Sequence, residues 1–250
     1  MRKINLLGVP LDNLDVEEVL SQIFYIYKKR QQLLFTPNVD FLINAQNDKE
    51  FKFILNEADI SIPDGKPLIW TSKFLGVPLK RKISGSSLFF ELCKISSKKK
   101  LSFFLLGGAP GTSELAKVEL GKKFVDVNIV GNYSPSIGFE NNLKEVKEII
   151  EKINLYDPDV LIIGLGSPKQ EKWIYKNKDK LKFGIAMCLG ATIDFAAGIK
   201  KMPPEFIKNL GLGWLWRLIS EPKRLWKRYL IKDIKFFWYI FQQKFNLKEF

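Results

Sequence analysis

Apolar positions follow two rhythms along most of this chain. Val16, Val19, Leu20, Ile23 and Tyr27 recur at helical spacing behind Asp15 and Glu18, a capping pair, and predict an amphipathic first helix. Short apolar runs that end in turn residues come next: LLFTPN (33–38), ADISIPDG (58–65), LSFFLLGG (101–108), VNIVG (127–131), VLIIGLG (160–166) and FGIAMCLG (183–190). These predict buried strands. Helical stretches separate the later ones, at 112–124, 141–153 and 168–177. The alternation from Leu101 to Gly190 predicts an α/β fold: a Rossmann-like, mainly parallel sheet with helices on both faces. Ligands of such sheets sit outside the carboxyl ends of the strands, so the chemistry is sought in the strand-end segments.

The pattern changes after Gly198. On a helical wheel from Pro222 onward, Trp226, Leu230, Ile234, Phe237 and Phe241 share one face, and Arg224, Arg228, Lys232 and Lys235 gather on the other. Ser220 suits a cap, and Pro222 suits the first turn. The chain is therefore divided into an α/β catalytic body over residues 1–198 and a helical amphipathic appendage over 199–250. Charge sharpens the division. Residues 199–250 hold twelve Lys or Arg against four Asp or Glu, which is +8 of the chain's +13, and they hold Trp214, Trp216, Trp226 and Trp238 of its six tryptophans. A surface helix packed on its own body is one reading of this tail. The other is a helix lying in the interface of an anionic bilayer. No uncharged stretch approaches the length of about 18 residues that a membrane span needs, and the N-terminal apolar run is too short for a signal peptide.

The 250 residues contain no histidine, which excludes Ser-His-Asp and Cys-His catalysis and leaves carboxylate, lysine or tyrosine as acid or base. Cys93 and Cys188 are far apart, form no metal-type spacing and read as packing residues of a reducing cytosol. TPN (36–38) and PDG (63–65) close two strands and leave Thr36, Asn38 and Asp64 at the sheet edge. Asp64 is the best candidate base, although Pro-Asp-Gly is equally a standard turn. FLLGGAPGT brings Gly107, Gly108 and Gly111 from a strand into a helix, either as a phosphate cradle or as a tight turn. It is not GxGxxG, which argues against NAD. GLGSPKQEKW places Lys169 and Gln170 in a helix's first turn, where a cation is unfavourable unless an anion is near. GATIDFAAG offers Asp194 as a ribose acceptor or a helix cap. DPD (157–159) precedes its strand and reads as a polar turn at the opposite end of the sheet, and Lys98–Lys100 as a solvated turn.

Taken in order, TPN, PDG, GLGSPKQEKW, GATIDFAAG and the basic aromatic ending resemble the WecG/TagA/CpsF family of bacterial glycosyltransferases over nearly the whole chain. The resemblance implies a metal-independent, inverting hexosyltransferase without a cofactor. Such an enzyme moves a sugar, often N-acetylmannosamine, from UDP to a polyprenyl-diphosphate-linked sugar, in building teichoic acid or other cell-surface polysaccharide. It implies a peripheral protein on the inner face of the cytoplasmic membrane. It makes Asp64 the general base, and puts Thr36 and Asn38 in the same pocket. Lys169 and Gln170 fall next to the donor, with Gly107, Gly108, Gly164 and Gly166 letting backbone approach the nucleotide sugar. Arg217, Arg224 and Arg228 are within the reach of a lipid-linked diphosphate. One departure stands out: LKRKISG carries Lys82 where the family pattern has an arginine, which keeps the charge but loses bidentate geometry. A nucleic-acid binder is the competing class, since basic patches with interleaved aromatics suit phosphates and bases. No nucleic-acid motif accompanies the patch, and no nucleic-acid partner is expected.

Overall fold

The structure, a computed structural model, describes residues 3–204, 206 and 207, and 211–250, with Ser97, Arg224, Leu230 and Ile231 described by their backbone alone. It opens with an antiparallel hairpin, β1 (Lys3–Leu6) and β2 (Val9–Asp12). The apolar runs do not announce it, because each strand is four residues long and Pro10 interrupts the second. Helix α1 (Val16–Ile26) follows with the expected reciprocal cap: the Glu18 amide donates to Asp15 Oδ1 at 2.9 Å and the Asp15 amide to Glu18 Oε2 at 2.7 Å.

Six strands form the central sheet: β3 (Gln32–Phe35), β4 (Ile60–Ser61), β5 (Ser102–Gly107), β6 (Asn128–Tyr133), β7 (Val160–Gly164) and β8 (Ile185–Cys188). Their order is β4-β3-β8-β7-β5-β6 and every pairing is parallel. Continuous apolar runs suit such a sheet because both faces are covered. Along β5, Phe103 and Leu105 enter one core and Phe104 and Leu106 the other; Val160 and Ile162 separate from Leu161 and Ile163 in the same way on β7. One face is covered by α1, α5 (Gly85–Lys99), α6 (Thr112–Lys123) and α9 (Thr192–Ala196). The other is covered by the hairpin with α2 (Val39–Asn47), α3 (Lys49–Asn56), α4 (Lys66–Phe74), α7 (Leu143–Tyr156) and α8 (Lys169–Asn177).

The tail is not the single helix its wheel assumes. It runs as α10 (Gly213–Ser220), α11 (Pro222–Lys227), a π-turn over Arg228–Lys232, and α12 (Ile234–Lys244). Ser220 does not cap the second helix: its hydroxyl donates back to the Trp216 carbonyl at 2.8 Å and so belongs to the end of α10. Pro222 does open α11. The breaks reset the helical phase, and a third face appears that the wheel misses. Leu225, Phe236 and Ile240 are buried, the last two in the core cluster that holds Phe41, Leu42 and Leu68. Trp226, Ile234, Phe237 and Phe241 are exposed. The adjacent phenylalanines offer a direct check by urea denaturation. Phe236→Ala is expected to lower stability by about 3–5 kcal/mol, whereas Phe237→Ala stays within about 0.5 kcal/mol. Equal losses would refute this packing.

Candidate active site

The carboxyl ends of the strands all open at one edge of the sheet, where backbone hydrogen bonds stitch three segments together. The Ile62 amide donates to the Phe35 carbonyl, the Asp64 amide to Pro37 at 2.8 Å, and the Ile83 amide to Pro63 at 2.9 Å. TPN, PDG and the segment before α5 are thus held as one ledge. Gly85 permits this approach, since a Cβ there would lie 2.8 Å from Leu189 Cδ2 and 3.2 Å from Thr36 Cγ2. The start of α5 is also joined to the start of α9, with Ser86 Oγ 2.9 Å from Thr192 Oγ1.

Asp64 follows β4 after Ile62 and Pro63 and is half-buried. Desolvation pushes its pKa above the ordinary carboxylate value, and the charges of Arg217, Lys82 and Arg228 act against that rise. The charges of three cations far apart in sequence therefore reach one carboxyl. Thr36 is buried beside this ledge. Asn38 caps α2, accepting from the Asp40 amide at 3.0 Å and the Phe41 amide at 3.4 Å, and its Oδ1 also accepts from Arg228 Nη2 at 3.3 Å.

Glycines shape the neighbouring part of the edge. After β5 the chain turns to α6 on one face, and after adjacent β7 it turns to α8 on the other. This divergence marks the topological switch point where ligands bind such sheets. A Cβ on Gly107 would lie 2.5 Å from Gly164 O, and one on Gly164 would lie 2.8 Å from Gly190 O, so these strand ends touch through backbone alone. Gly108 donates to Gly164 O at 3.3 Å, and Gly166 turns at φ +80° with open space on its Cβ side. Lys169 occupies the first turn of α8 as expected; the anion beside it is Glu140, at 3.4 Å. Gln170 is buried, and its Oε1 accepts from the Gly166 and Gly190 amides, both at 3.2 Å, clamping two loops of the edge together. Asp194 lies in α9 and pairs with Lys200 at 2.8 Å. The Arg224 side chain lies outside the described residues.

A family model described as glycosyl transferase WecG/TagA/CpsF matches residues 4–250. The chain belongs to the WecG/TagA/CpsF family of glycosyltransferases. A Staphylococcus aureus (strain MRSA252) protein named N-acetylglucosaminyldiphosphoundecaprenol N-acetyl-beta-D-mannosaminyltransferase is 26% identical to it over 240 residues, 95% of this chain and 91% of that protein. Proteins of the same name from strains MW2 and NCTC 8325 match to the same extent.

Other features of this glycosyltransferase fall away from the site. Asp157 and Asp159 stand at the opposite end of the sheet, the first paired with Arg30 and the second accepting from the Ser102 amide at 2.9 Å and hydroxyl at 2.8 Å. The DPD segment is thus the polar turn its position predicts. Both cysteines are buried, and burial pushes the Cys93 thiol up to about 12, which suits packing. Among the described residues no group of three or more His, Cys, Asp or Glu is placed to hold a metal ion, and no helix is long and apolar enough to cross a membrane.

The sequence reading misses four charged groups next to the site: Asp40, Glu171, Lys232 and Asp233. Glu171 is fully buried behind Gln170, whose Nε2 donates to its Oε1 at 2.6 Å, and desolvation raises its pKa to about 7. Asp233 is pushed up to about 6, again mainly by burial. Asp40 is visible in sequence as an acid two residues after a helix cap. Nothing local pairs it with Lys232, whose Nζ lies 2.8 Å from its Oδ1 across 192 residues of chain.

Proposed function

We propose that this enzyme transfers N-acetylmannosamine from a UDP donor to N-acetylglucosaminyl-diphosphoundecaprenol, with inversion and without a metal, in the synthesis of teichoic acid or a related cell-wall polymer. The observation that carries the reading is the half-buried Asp64 in the turn after β4, tied by its amide to the TPN segment and within reach of the charges of Lys82, Arg217 and Arg228. A single-displacement inversion needs one base to take the proton of the acceptor hydroxyl, and Asp64 has that role. Two diphosphates meet at such a site, one leaving with uridine and one carrying the lipid. Fixed cations and helix N-termini at the sheet edge supply the charge that a metal supplies in other transferases. The names of the staphylococcal relatives support the sugar and the lipid acceptor. The test is a panel of UDP-sugars, each offered with polyprenyl-diphosphate acceptors and repeated with Asp64→Asn. Turnover is expected with UDP-N-acetylmannosamine and an N-acetylglucosaminyl acceptor. Turnover confined to another sugar pair would replace this substrate assignment.

The acceptor's lipid keeps it in a bilayer, and the tail supplies the docking surface on the cytoplasmic side. Trp226 is 43%, Ile234 62%, Phe237 53% and Phe241 42% exposed, and exposed Lys227 and Lys235 accompany them. Removing everything after Gly211 would strip Phe236 and Ile240 from the core, so substitution is the cleaner experiment. A triple Ile234→Ser, Phe237→Ser, Phe241→Ser variant is expected to lose roughly tenfold or more of its partitioning onto anionic phosphatidylglycerol vesicles, with its melting temperature kept. Unchanged partitioning would remove the tail from the docking surface.

A further inference from the structure

Arg228 is one of the three cations whose charge reaches the Asp64 carboxyl, and its placement depends on the first turn of α2. Asn38 Oδ1 accepts from Arg228 Nη2 at 3.3 Å, and Arg228 Nη1 lies 3.6 Å from Asp40 Oδ2. The other oxygen of Asp40 is taken by Lys232, at 2.8 Å, and Lys232 also donates to Asn44 Oδ1 at 2.5 Å, one turn further along α2. Each oxygen of one carboxylate thus faces one cation of the π-turn. Asp40 is 7% exposed. An unpaired charge at such a position is costly, so Asp40 needs these partners and the partners gain a fixed anchor. Asp40 also stands in the first turn of α2, where a helix favours negative charge. Asp233, 3.9 Å from Arg228 Nε, closes the far side of the guanidinium. π-turns of this kind recur at functional sites, and here the turn brings Arg228 and Lys232 together onto α2.

We propose that Asp40 is a positioning residue of this site: its carboxylate, neutralised on one side by Lys232, docks the π-turn of the tail and holds Arg228 beside Asp64 to bind the acceptor's diphosphate. The last clause rests on the function proposed above, whereas the docking and the proximity of Arg228 to Asp64 do not. Asp40 itself touches neither substrate. The contact makes the tail part of the pocket, since a tail that lifts from α2 takes Arg228 with it.

The experiment uses the full-length chain and two readouts. In the first, the Asp64 carboxyl is titrated by carbon-13 NMR in the wild type, Asp40→Asn, Arg228→Ala and the Asp40→Asn/Lys232→Met pair. The pair removes the carboxylate together with Lys232, so Lys232 is not left without its partner if the single variant folds poorly. Losing Arg228 from the neighbourhood of Asp64 raises the Asp64 midpoint, whereas deleting the negative charge of Asp40 with Arg228 still in place lowers it, so the sign separates the two cases. An upward shift is expected in Asp40→Asn and in the pair, of the same sign as that of Arg228→Ala and smaller in Asp40→Asn because the Asp40 charge is also lost.

In the second readout, Asp40→Asn is expected to raise KM for the lipid-linked acceptor roughly tenfold or more, with a smaller change in kcat. The rise in melting temperature on adding UDP should stay as in the wild type. The Asp40→Asn/Arg228→Ala variant should be no worse than Arg228→Ala alone, because both changes remove one device. An Asp64 midpoint that stays or falls in Asp40→Asn, or penalties that multiply in the double variant, overturns the proposal. An intact upward shift in a protein that turns over none of the sugar pairs would support the positioning by Asp40 and discard the reaction instead.

Discussion

Asp64→Asn is expected to lower kcat/KM for sugar transfer by about 10²–10⁴-fold, the range that a positioned general base contributes. Asparagine keeps the size and the turn position after β4 but cannot take a proton from the acceptor hydroxyl. Folding should be little affected, because the ledge around residue 64 is held by backbone bonds from Asp64 to Pro37 and from Ile83 to Pro63 that both residues allow. The pH profile adds a second signature. The Asp64 pKa is raised by burial, so the wild-type rate should climb through a limb lying above the ordinary carboxylate range, as the base loses its proton. Removing Lys82 or Arg217 should move that limb to higher pH, because each positive charge favours the ionised carboxyl. In Asp64→Asn the limb should vanish along with the activity. Near-normal turnover by this variant would sink the base assignment.

Glu171→Gln should change how stability depends on pH. In the folded protein burial raises the Glu171 pKa to about 7, the hydrogen bond from Gln170 partly offsets this, and the charge of Asp40 adds to it. The unfolded chain ionises the same group at its ordinary value, 4.5. Below that value both states hold the proton and the group is neutral to stability's pH dependence. As pH rises toward 7 the unfolded state loses its proton first, so stability falls and levels off once the folded group has also ionised. The interval corresponds to about 3 kcal/mol. Urea denaturation between pH 4 and pH 8 should therefore show the variant gaining about 3 kcal/mol relative to the parent. Asp233 and Asp64, also raised, lean the same way in both proteins and cancel in the comparison. Parallel curves would show that Glu171 ionises as freely in the fold as outside it.

Glu171 also illustrates why part of the site was hidden. Within PKQEKW it reads as one more charged residue on a helix, and periodicity alone does not tell a buried acid from a solvated one. Its neighbour Gln170 is conspicuous in sequence for its place at a helix start, yet the structure turns its amide into a clamp on Gly166 and Gly190. Lys169, a cation at a helix start that calls for an anion, has Glu140 beside it, from a short 3-10 turn that no strand-end pattern marks. Asp194 was open between ribose acceptor and cap, and its carboxyl is paired with Lys200. The glycines after β5 and β7 suit the approach of a nucleotide. Gly107 and Gly164 first of all admit one another's strands, and Gly166 keeps open space.

The α/β class, the capped first helix, most strand positions and the edge of the sheet at which Asp64 stands are legible in the order of residues. These follow from local rules: apolar period, capping pairs, and turn residues after a buried strand. The same order also marks the tail as basic and aromatic. What the tail does with each residue depends on how the chain packs in space. A wheel assumes one unbroken helix, whereas a break at Glu221 and a π-turn at Arg228–Lys232 reset the phase, so that Phe236 and Ile240 enter the core and Phe237 and Phe241 do not. The same reset turns Arg228 and Lys232 from the cationic face of the wheel onto Asp40. Contacts of this kind join residues nearly two hundred positions apart, and a charge's partner is set by where the chain returns in space.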